Sequence, residues 1–423
     1  MLVRFSVSNY KSIKEQITVD FTASSLSDHM ETNVVKESGE NLLKTVLLYG
    51  SNASGKSKIL DALVVFRGLI LESGSYNSKK TILVEPFLLN TETIGEPSSF
   101  EAEFIVGGKR YRYGFLADRK SFPREWLVEV KKTTQNPVFL RIGQALEIDH
   151  KRFENAQGLE KRVGENSLFL SVADQWNVPV AKAIYGWFYS IFTVHGMMDE
   201  EYRDYTNDLS TSKKYRKMIN QMMQKADLGI NSVDVSEITE ELRSESLKRT
   251  PEDFKDRMAS LMAGKFTPVL TRHNILDKKG KLVRETEFDL QGQESEGTKK
   301  FYNIIGLVLY AVLNDRLVVI DELDARLHTL LSKSLIRLFN GEFTKTKAQI
   351  FGVSHDTALL DRNLLRRDQI YFVEKDQHSA TKITNLAAYK LRKDTPFDKN
   401  YLEGRYGAIP MIENLENVFE HGQ

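Results

Sequence analysis

The sequence predicts an α/β fold in which a β-rich lobe and a mainly parallel-sheet lobe surround a phosphate-binding loop, with a helical subdomain inserted between them. Three observations predict it. A phosphate-loop motif sits between an apolar strand and an amphipathic helix. Strand-like alternation runs through roughly the first 150 residues, and helices alternate with strands through the last stretch.

Gly50, Ser51, Asn52, Ala53, Ser54, Gly55, Lys56 and Ser57 spell G-x-x-x-x-G-K-S without deviation. Residues 45–49 (TVLLY) read as a buried strand, and Ile59, Leu63, Phe66 and Ile70 recur at helical spacing behind the loop. Glycines at both ends free backbone N–H groups to turn toward phosphate oxygens, and a helix N-terminus adds partial positive charge. Lys56 is then expected to reach the β/γ-phosphates of ATP, and the Ser57 hydroxyl to ligate Mg²⁺.

The chain divides into three stretches. Residues 1–150 form the first half of the head: 2–7 and 17–21 alternate as strands, and 100–106 and 110–116 flank Gly107-Gly108 as a hairpin. Tyr111, Tyr113 and Phe115 are expected on one face of it. Residues 151–265 are read as helical. Within them 213–228 sets Tyr215, Met218/Ile219 and Met222/Met223 on one side, a stripe of the kind that makes a core or helix seam. Residues 266–423 complete the head: helix 298–313, strand 316–320, helix 329–339, and strands 349–354 and 369–374.

Composition sets limits. Apolar residues are 41% and charged residues 28% of 423, the profile of a soluble globular chain, expected in the cytoplasm. The net charge of +1 provides no global field for nucleic acid, which leaves only local basic patches. With no cysteine, disulfides and thiolate chemistry are excluded. The start MLVRFSVSNYKS lacks the apolar core of a signal peptide. No run approaches the about 18 apolar residues of a membrane span, so no membrane partner is expected.

A second motif lies far downstream. Leu317-Val318-Val319-Ile320 is fully apolar and delivers Asp321 and Glu322 at its end, where α/β sheets place ligand sites. Asp321 is expected to hold Mg²⁺, and Glu322 to polarise the water that attacks the γ-phosphate. Between the two motifs, Ser295-Glu296-Gly297 opens an apolar helix, a second anion-binding turn.

Ser295-Glu296-Gly297, 26 residues before Asp321, resembles the signature of ABC-type ATPases, the superfamily of transporters, SMC proteins, Rad50 and RecF. The resemblance implies a head-to-tail homodimer, or a higher even oligomer, with two ATP molecules at the interface. Ser295 and Gly297 of one subunit would close over the γ-phosphate held by the other. Val353-Ser354-His355-Asp356 resembles the switch region, making His355 a candidate to contact the γ-phosphate. Leu323-Asp324-Ala325-Arg326-Leu327-His328 resembles the D-loop of the SMC/RecF-like branch. Phe5-Ser6-Val7-Ser8-Asn9-Tyr10-Lys11-Ser12 resembles a segment that this branch sets near the base and phosphates, which makes Lys11 a nucleotide-binding candidate.

At a finer level the chain resembles the prokaryotic AAA15-type ABC ATPases, including RloA-like and AbiL-like phage-resistance proteins and relatives of the OLD nucleases. Residues 222–235 and the tail 401–410 (YLEGRYGAIP) look like segments of that group, without a derivable chemical role. Two departures stand out. No clear Q-loop glutamine is seen, Glu85-Pro86-Phe87 falling in that region, and no acidic-cluster nuclease domain follows His355. The expectation is therefore an ATP hydrolase that switches a separate effector, such as a nuclease, in anti-phage defence.

Two other readings stay open. A RecF- or Rad50-like ATPase would grip duplex DNA through clusters such as Lys131-Lys132 and Lys213-Lys214 with Arg216-Lys217. A transporter ATPase subunit is disfavoured by the N-terminal segment and by the long gap between Lys56 and Asp321.

Overall fold

The computed structural model describes residues 1–235, 268–341, 345–392 and 394–410. The chain begins with β1 (Leu2–Ser8) and β2 (Ile17–Asp20), then a small hairpin of β3 (Val34–Glu37) and β4 (Glu40–Leu43). β5 (Thr45–Tyr49) is buried at every residue and runs through the phosphate loop into helix α1 (Lys56–Glu72). Next come β6 (Ser98–Val106), β7 (Lys109–Ala117), β8 (Arg124–Val130), β9 (Gln135–Ile142) and β10 (Ala145–Ile148). With β1 and β2 they make an antiparallel sheet of order β10-β9-β8-β7-β6-β1-β2.

The β6–β7 hairpin turns at Gly107 and Gly108, whose φ angles of 57° and 74° suit the tight turns that match strand twist. Helices α2 (Phe169–Gln175) and α3 (Pro179–Tyr189) follow, then β11 (Phe192–His195), α4 (Arg203–Ser210), α5 (Lys213–Lys225) and β12 (Ser232–Val235). β13 (Val269–Leu276) and β14 (Leu282–Asp289) form a second long hairpin. A short helix α6 (Leu290–Gln293) precedes α7 (Glu296–Leu313) and β15 (Leu317–Asp321). The chain continues through α8 (Thr329–Asn340), β16 (Gln349–Val353), β17 (Ile370–Lys375), β18 (Thr381–Asn385) and α9 (Phe397–Leu402).

The second large sheet has the order β11-β15-β16-β5-β17-β18. β15, β16, β5 and β17 pair in parallel, and β18 joins β17 antiparallel. Parallel strands need both faces covered, which explains why 45–49, 317–320 and 350–353 are unbroken apolar or small-residue runs. The predicted fold class, a β-rich lobe and a mainly parallel lobe around a phosphate loop, is the one observed.

Helix α1 buries Ile59, Leu63, Phe66 and Ile70, the four positions its sequence period singles out. Phe66 is the hub of an aromatic cluster, with ring centroids 5.1 Å from Phe115, 5.5 Å from Phe188, 5.9 Å from Phe5 and 6.0 Å from Tyr113. Tyr111, Tyr113 and Phe115 are all buried, as the hairpin pattern requires.

The chain forms two compact units: Met1–Thr193 with Ala311–Asp324 and Ser332–Gln423, and Val194–Tyr310 with Ala325–Leu331. These divisions differ from the sequence boundaries. Helices α2 and α3 belong to the first unit because Phe169, Ile184 and Phe188 complete its apolar core. The second unit is not purely helical, since β12, β13 and β14 make a three-stranded antiparallel sheet within it. Its strands carry many exposed polar residues, so their period-2 signal is weak. In α5, Ile219 and Met223 are buried and the other stripe residues half-buried, a seam rather than a ligand surface.

Phe66→Ala should destabilise the protein by about 3–5 kcal/mol, the range for large aromatic truncations in cores. Chemical denaturation of the purified chain measures it, and a loss under about 1 kcal/mol would show that the cluster collapses freely around the gap.

Candidate nucleotide-binding site

The phosphate loop is shaped by steric exclusion on both sides. A Cβ on Gly50 would lie 2.1 Å from the Val373 carbonyl oxygen of β17, so only glycine lets the loop start this close to the neighbouring strand. Gly55 has φ +107°, and a Cβ there would lie 2.1 Å from Thr381 Oγ1. Ala53 also takes a left-handed conformation, at φ 61°. The loop closes with the Ser54 N–H donating to the Ser51 carbonyl at 3.3 Å.

Lys56 is buried at the first turn of α1, and its ammonium donates to the carbonyls of Gly50 (2.9 Å) and Ser51 (2.8 Å). The side chain thus folds back over the loop it follows. Burial lowers its pKa to about 8, while Asp321, Glu322 and Asp324 pull in the opposite direction. The N–H groups of the first turn lack intrahelical partners by construction, so they remain donors for anionic oxygens. Ser57 is exposed, and its hydroxyl donates to Asp321 Oδ1 at 3.2 Å. The fold therefore brings together the two residues expected to hold Mg²⁺.

Glu322 follows Asp321 in a left-handed conformation (φ 51°), a sharp departure from the β15 strand direction, and Leu323 N–H then donates to the Val353 carbonyl at 3.0 Å. His355 follows β16, and its backbone N–H donates to both Asp324 carboxylate oxygens at 3.2 Å. Burial and then the Lys56 charge hold the imidazole below its usual pKa, against the opposing pull of Asp324, Glu322 and Asp321. That balance favours a neutral ring, able to donate from one nitrogen and accept at the other. Lys56, Ser57, Asp321, Glu322 and His355 thus form one electrostatic neighbourhood.

The N-terminal segment supports the loop from beneath. Ser12 Oγ lies 2.8 Å from Thr381 Oγ1, which donates to the Ser54 carbonyl at 3.0 Å. Lys11 adopts φ 48°, and its ammonium pairs with Asp61 of α1 at 2.5 Å. Tyr10 Oη donates to the same carboxylate at 2.7 Å. Asn9 receives the Phe87 N–H at Oδ1, and Glu85 accepts the Lys11 N–H. A cavity of about 540 Å³ opens there, lined by Lys11, Val84, Glu85, Pro86, Leu88 and Ile94 among others. Sequence reasoning missed Ser12 and Thr381 as loop supports. Only the serine's place beside Lys11 could have hinted at one of them.

The tail segment stacks beside the strand next to the loop. The Tyr401 and Tyr406 rings lie 5.2 Å and 5.0 Å from Phe372, nearly parallel to it, and Tyr401 meets Tyr49 edge-on. Ala408 N–H donates to Glu374.

In the second unit, Ser295 caps α7: its hydroxyl accepts the Thr298 N–H at 3.2 Å and meets Thr298 Oγ1 at 2.9 Å. Gly297 lies so close to the Arg326 carbonyl that a Cβ would approach it to 2.9 Å. Arg326 in turn pairs with Asp199 and with Glu296, the latter at 3.2 Å. Just ahead of Ser295, Glu294 accepts from the Thr271 hydroxyl at 2.5 Å and pairs with His273 Nε2 at 2.6 Å. This anchor for the turn is not legible in sequence, because Thr271 and His273 lie on a strand whose alternation is weak.

A phosphate loop between β5 and α1, with a strand-end carboxylate against its serine, defines a P-loop ATPase-type head. Residues 46–361 match the family described as "AAA domain, putative AbiEii toxin, Type IV TA system", and the chain belongs to that family. The fold is similar to an SMC head domain from Thermotoga maritima, at 14% identity and TM-score 0.41, covering 91% of this chain and 98% of that one. It is also similar to an Smc head bound to the C-terminal winged-helix domain of ScpA, at 13% identity and TM-score 0.46, covering 90% and 97%. A third similar structure is an Smc head with an extended coiled coil bound to the C-terminal domain of ScpA derived from Pyrococcus furiosus. It shows 12% identity and TM-score 0.36, over 96% and 99% of the two chains. No curated protein matches the sequence. Among the described residues no helix is long and apolar enough to cross a membrane.

Gly55→Ala should weaken nucleotide binding at least about tenfold, since both its backbone angle and the Thr381 hydroxyl oppose a side chain there. Titration with a fluorescent ATP analogue measures it. Wild-type affinity would mean that the loop tolerates displacement from β18.

Proposed function

We propose that this chain hydrolyses ATP and uses the cycle to open and close a head-to-tail homodimer. One observation carries the reading: Ser57 and Asp321, at the ends of two separate motifs, meet at 3.2 Å beside the buried Lys56 ammonium. A hydroxyl and a carboxylate are hard oxygen donors of the kind Mg²⁺ takes when substrate phosphates and water complete its shell. Among the described residues no cluster of three or more His, Asp or Glu competes for that role. When bound, the cation would neutralise charge developing on the phosphates.

In this reading the phosphate loop, residues 50–57, wraps the β-phosphate with its N–H groups. Lys56 shifts from the Gly50 and Ser51 carbonyls to phosphate oxygens, a small movement because those carbonyls ring the same cradle. Glu322 accepts the proton of the attacking water, and His355 contacts the γ-phosphate. Ser295 and Gly297 of the partner subunit close the opposite side. Contacts to a γ-phosphate exist with ATP and vanish with ADP, which provides the differential affinity that a switch needs.

The finer assignment is to the AAA15-type ABC ATPases, with the dimer controlling a separate effector protein such as a nuclease in anti-phage defence. The motif order phosphate loop, Ser295 turn, Asp321-Glu322 and His355 supports it, together with the N-terminal segment seated under the loop. The effector step rests on family analogy.

Glu322→Gln should lower ATP turnover at least about tenfold, the scale of losing a general base, and leave an ATP-stabilised dimer visible by light scattering. Unchanged turnover removes Glu322 from this role. Separately, a Ser295→Arg subunit and a Lys56→Ala subunit, each inactive alone, should recover activity when mixed. Failure to recover at any ratio would argue against a site shared between chains.

A further inference from the structure

The β13–β14 hairpin carries a surface that the ATPase cycle leaves unused. Toward its tip the burial pattern of both strands fades to exposed, and Leu276, Leu282 and Val283 stand 54%, 54% and 62% exposed. The turn between them, Asp277-Lys278-Lys279-Gly280-Lys281, adds three ammonium groups within four residues, with Arg284 just beyond. All four cationic side chains are exposed, and none has a carboxylate partner among the described residues.

The turn is already self-sufficient. Asp277 Oδ1 accepts the N–H groups of Lys279 (2.8 Å) and Lys281 (2.9 Å), and Asp277 N–H donates to the Lys281 carbonyl at 2.9 Å. Gly280 supplies the positive φ of 77° that the turn needs. The lysine side chains therefore make no contribution to the turn's own geometry. Farther down the hairpin, Arg272 does meet carboxylates, with Asp234 at 3.1 Å and Glu287 at 3.3 Å, so the unpaired cations are confined to the tip.

From this geometry we infer that the hairpin tip is a nucleic-acid-binding element that engages the backbone of a DNA duplex. Lys278, Lys279, Lys281 and Arg284, all exposed at one end of the hairpin, would meet phosphates. Leu276 and Leu282, paired across the hairpin, would pack on the sugar edges between them. A two-stranded ribbon fits a duplex groove, and backbone contacts of this kind carry no sequence preference. The chain's near-neutral charge makes the tip a local feature and not part of a general basic field.

The test uses the full chain with Mg-ATP and a fluorescent duplex of about 30 base pairs, titrated across a salt series. The variant is Lys278→Glu/Lys279→Glu/Lys281→Glu, with Lys131→Glu/Lys132→Glu as a control of equal chemistry elsewhere. Duplex affinity of the tip variant should fall at least about tenfold, and its salt slope should flatten by about 0.9 for each phosphate no longer neutralised, up to about 2.7. The control should bind as wild type does. Leu276→Ser/Leu282→Ser should weaken binding without changing the slope. Basal ATP turnover should be unchanged in all three, so failure here leaves the hydrolase reading standing. Equal affinity of tip variant and wild type, no duplex binding at low salt, or tip-dependent binding to anionic lipid vesicles in place of DNA would each overturn the proposal.

Discussion

The structure depends on holding a flexible glycine loop in one shape against two different neighbours. Gly50 lies against the β17 backbone and Gly55 against Thr381, so the loop is a mould set by its surroundings as much as by its own sequence. Those neighbours come from the far end of the chain, and Thr381 hydrogen-bonds a residue 327 positions away. Nucleotide affinity in such a protein is inseparable from correct closure of the parallel sheet. The loop residues alone would make a disordered, weakly binding segment.

Around that mould the charges are arranged in opposition. A buried ammonium is costly on its own, and Asp321, Glu322 and Asp324 lie near enough to offset part of that cost. The same carboxylates act on His355, so His355 and Lys56 sense one shared field. A phosphate entering there replaces one set of partners by another, and no bare charge has to be created. Preorganisation of this kind is the usual source of rate in phosphoryl transfer.

Much of this was legible in the sequence, and the reasons are physical. Buried parallel strands must be apolar throughout, so 45–49 and 317–320 announced themselves, and the ligand groups follow directly at their ends. Helix α1 declared its buried face through the spacing of Ile59, Leu63, Phe66 and Ile70. What stayed hidden depends on pairings between distant, ordinary residues. Ser12 and Thr381 are common hydroxyls with no pattern between them. Glu294 looks like one more surface acid until the fold brings Thr271 and His273 beside it. Lys11 stands out in the one-dimensional motif as a nucleotide-binding candidate, but its ion pair with Asp61 of α1 is visible only in the fold. The aromatic tail escaped for a similar reason, since Tyr401 and Tyr406 find Phe372 through tertiary stacking, not through any local period.

The close approach of Gly297 to the Arg326 carbonyl has a consequence for how the molecule could communicate. Arg326 stands only four residues after Glu322 along the chain, and its guanidinium also grasps Asp199 and Glu296. The acidic pair closes a strand of the first unit, and the chain passes from it into the second unit within a few residues, at Ala325. A displacement at Glu322 is therefore carried along a covalent tether a few peptide units long, which ends at the carbonyl facing Gly297.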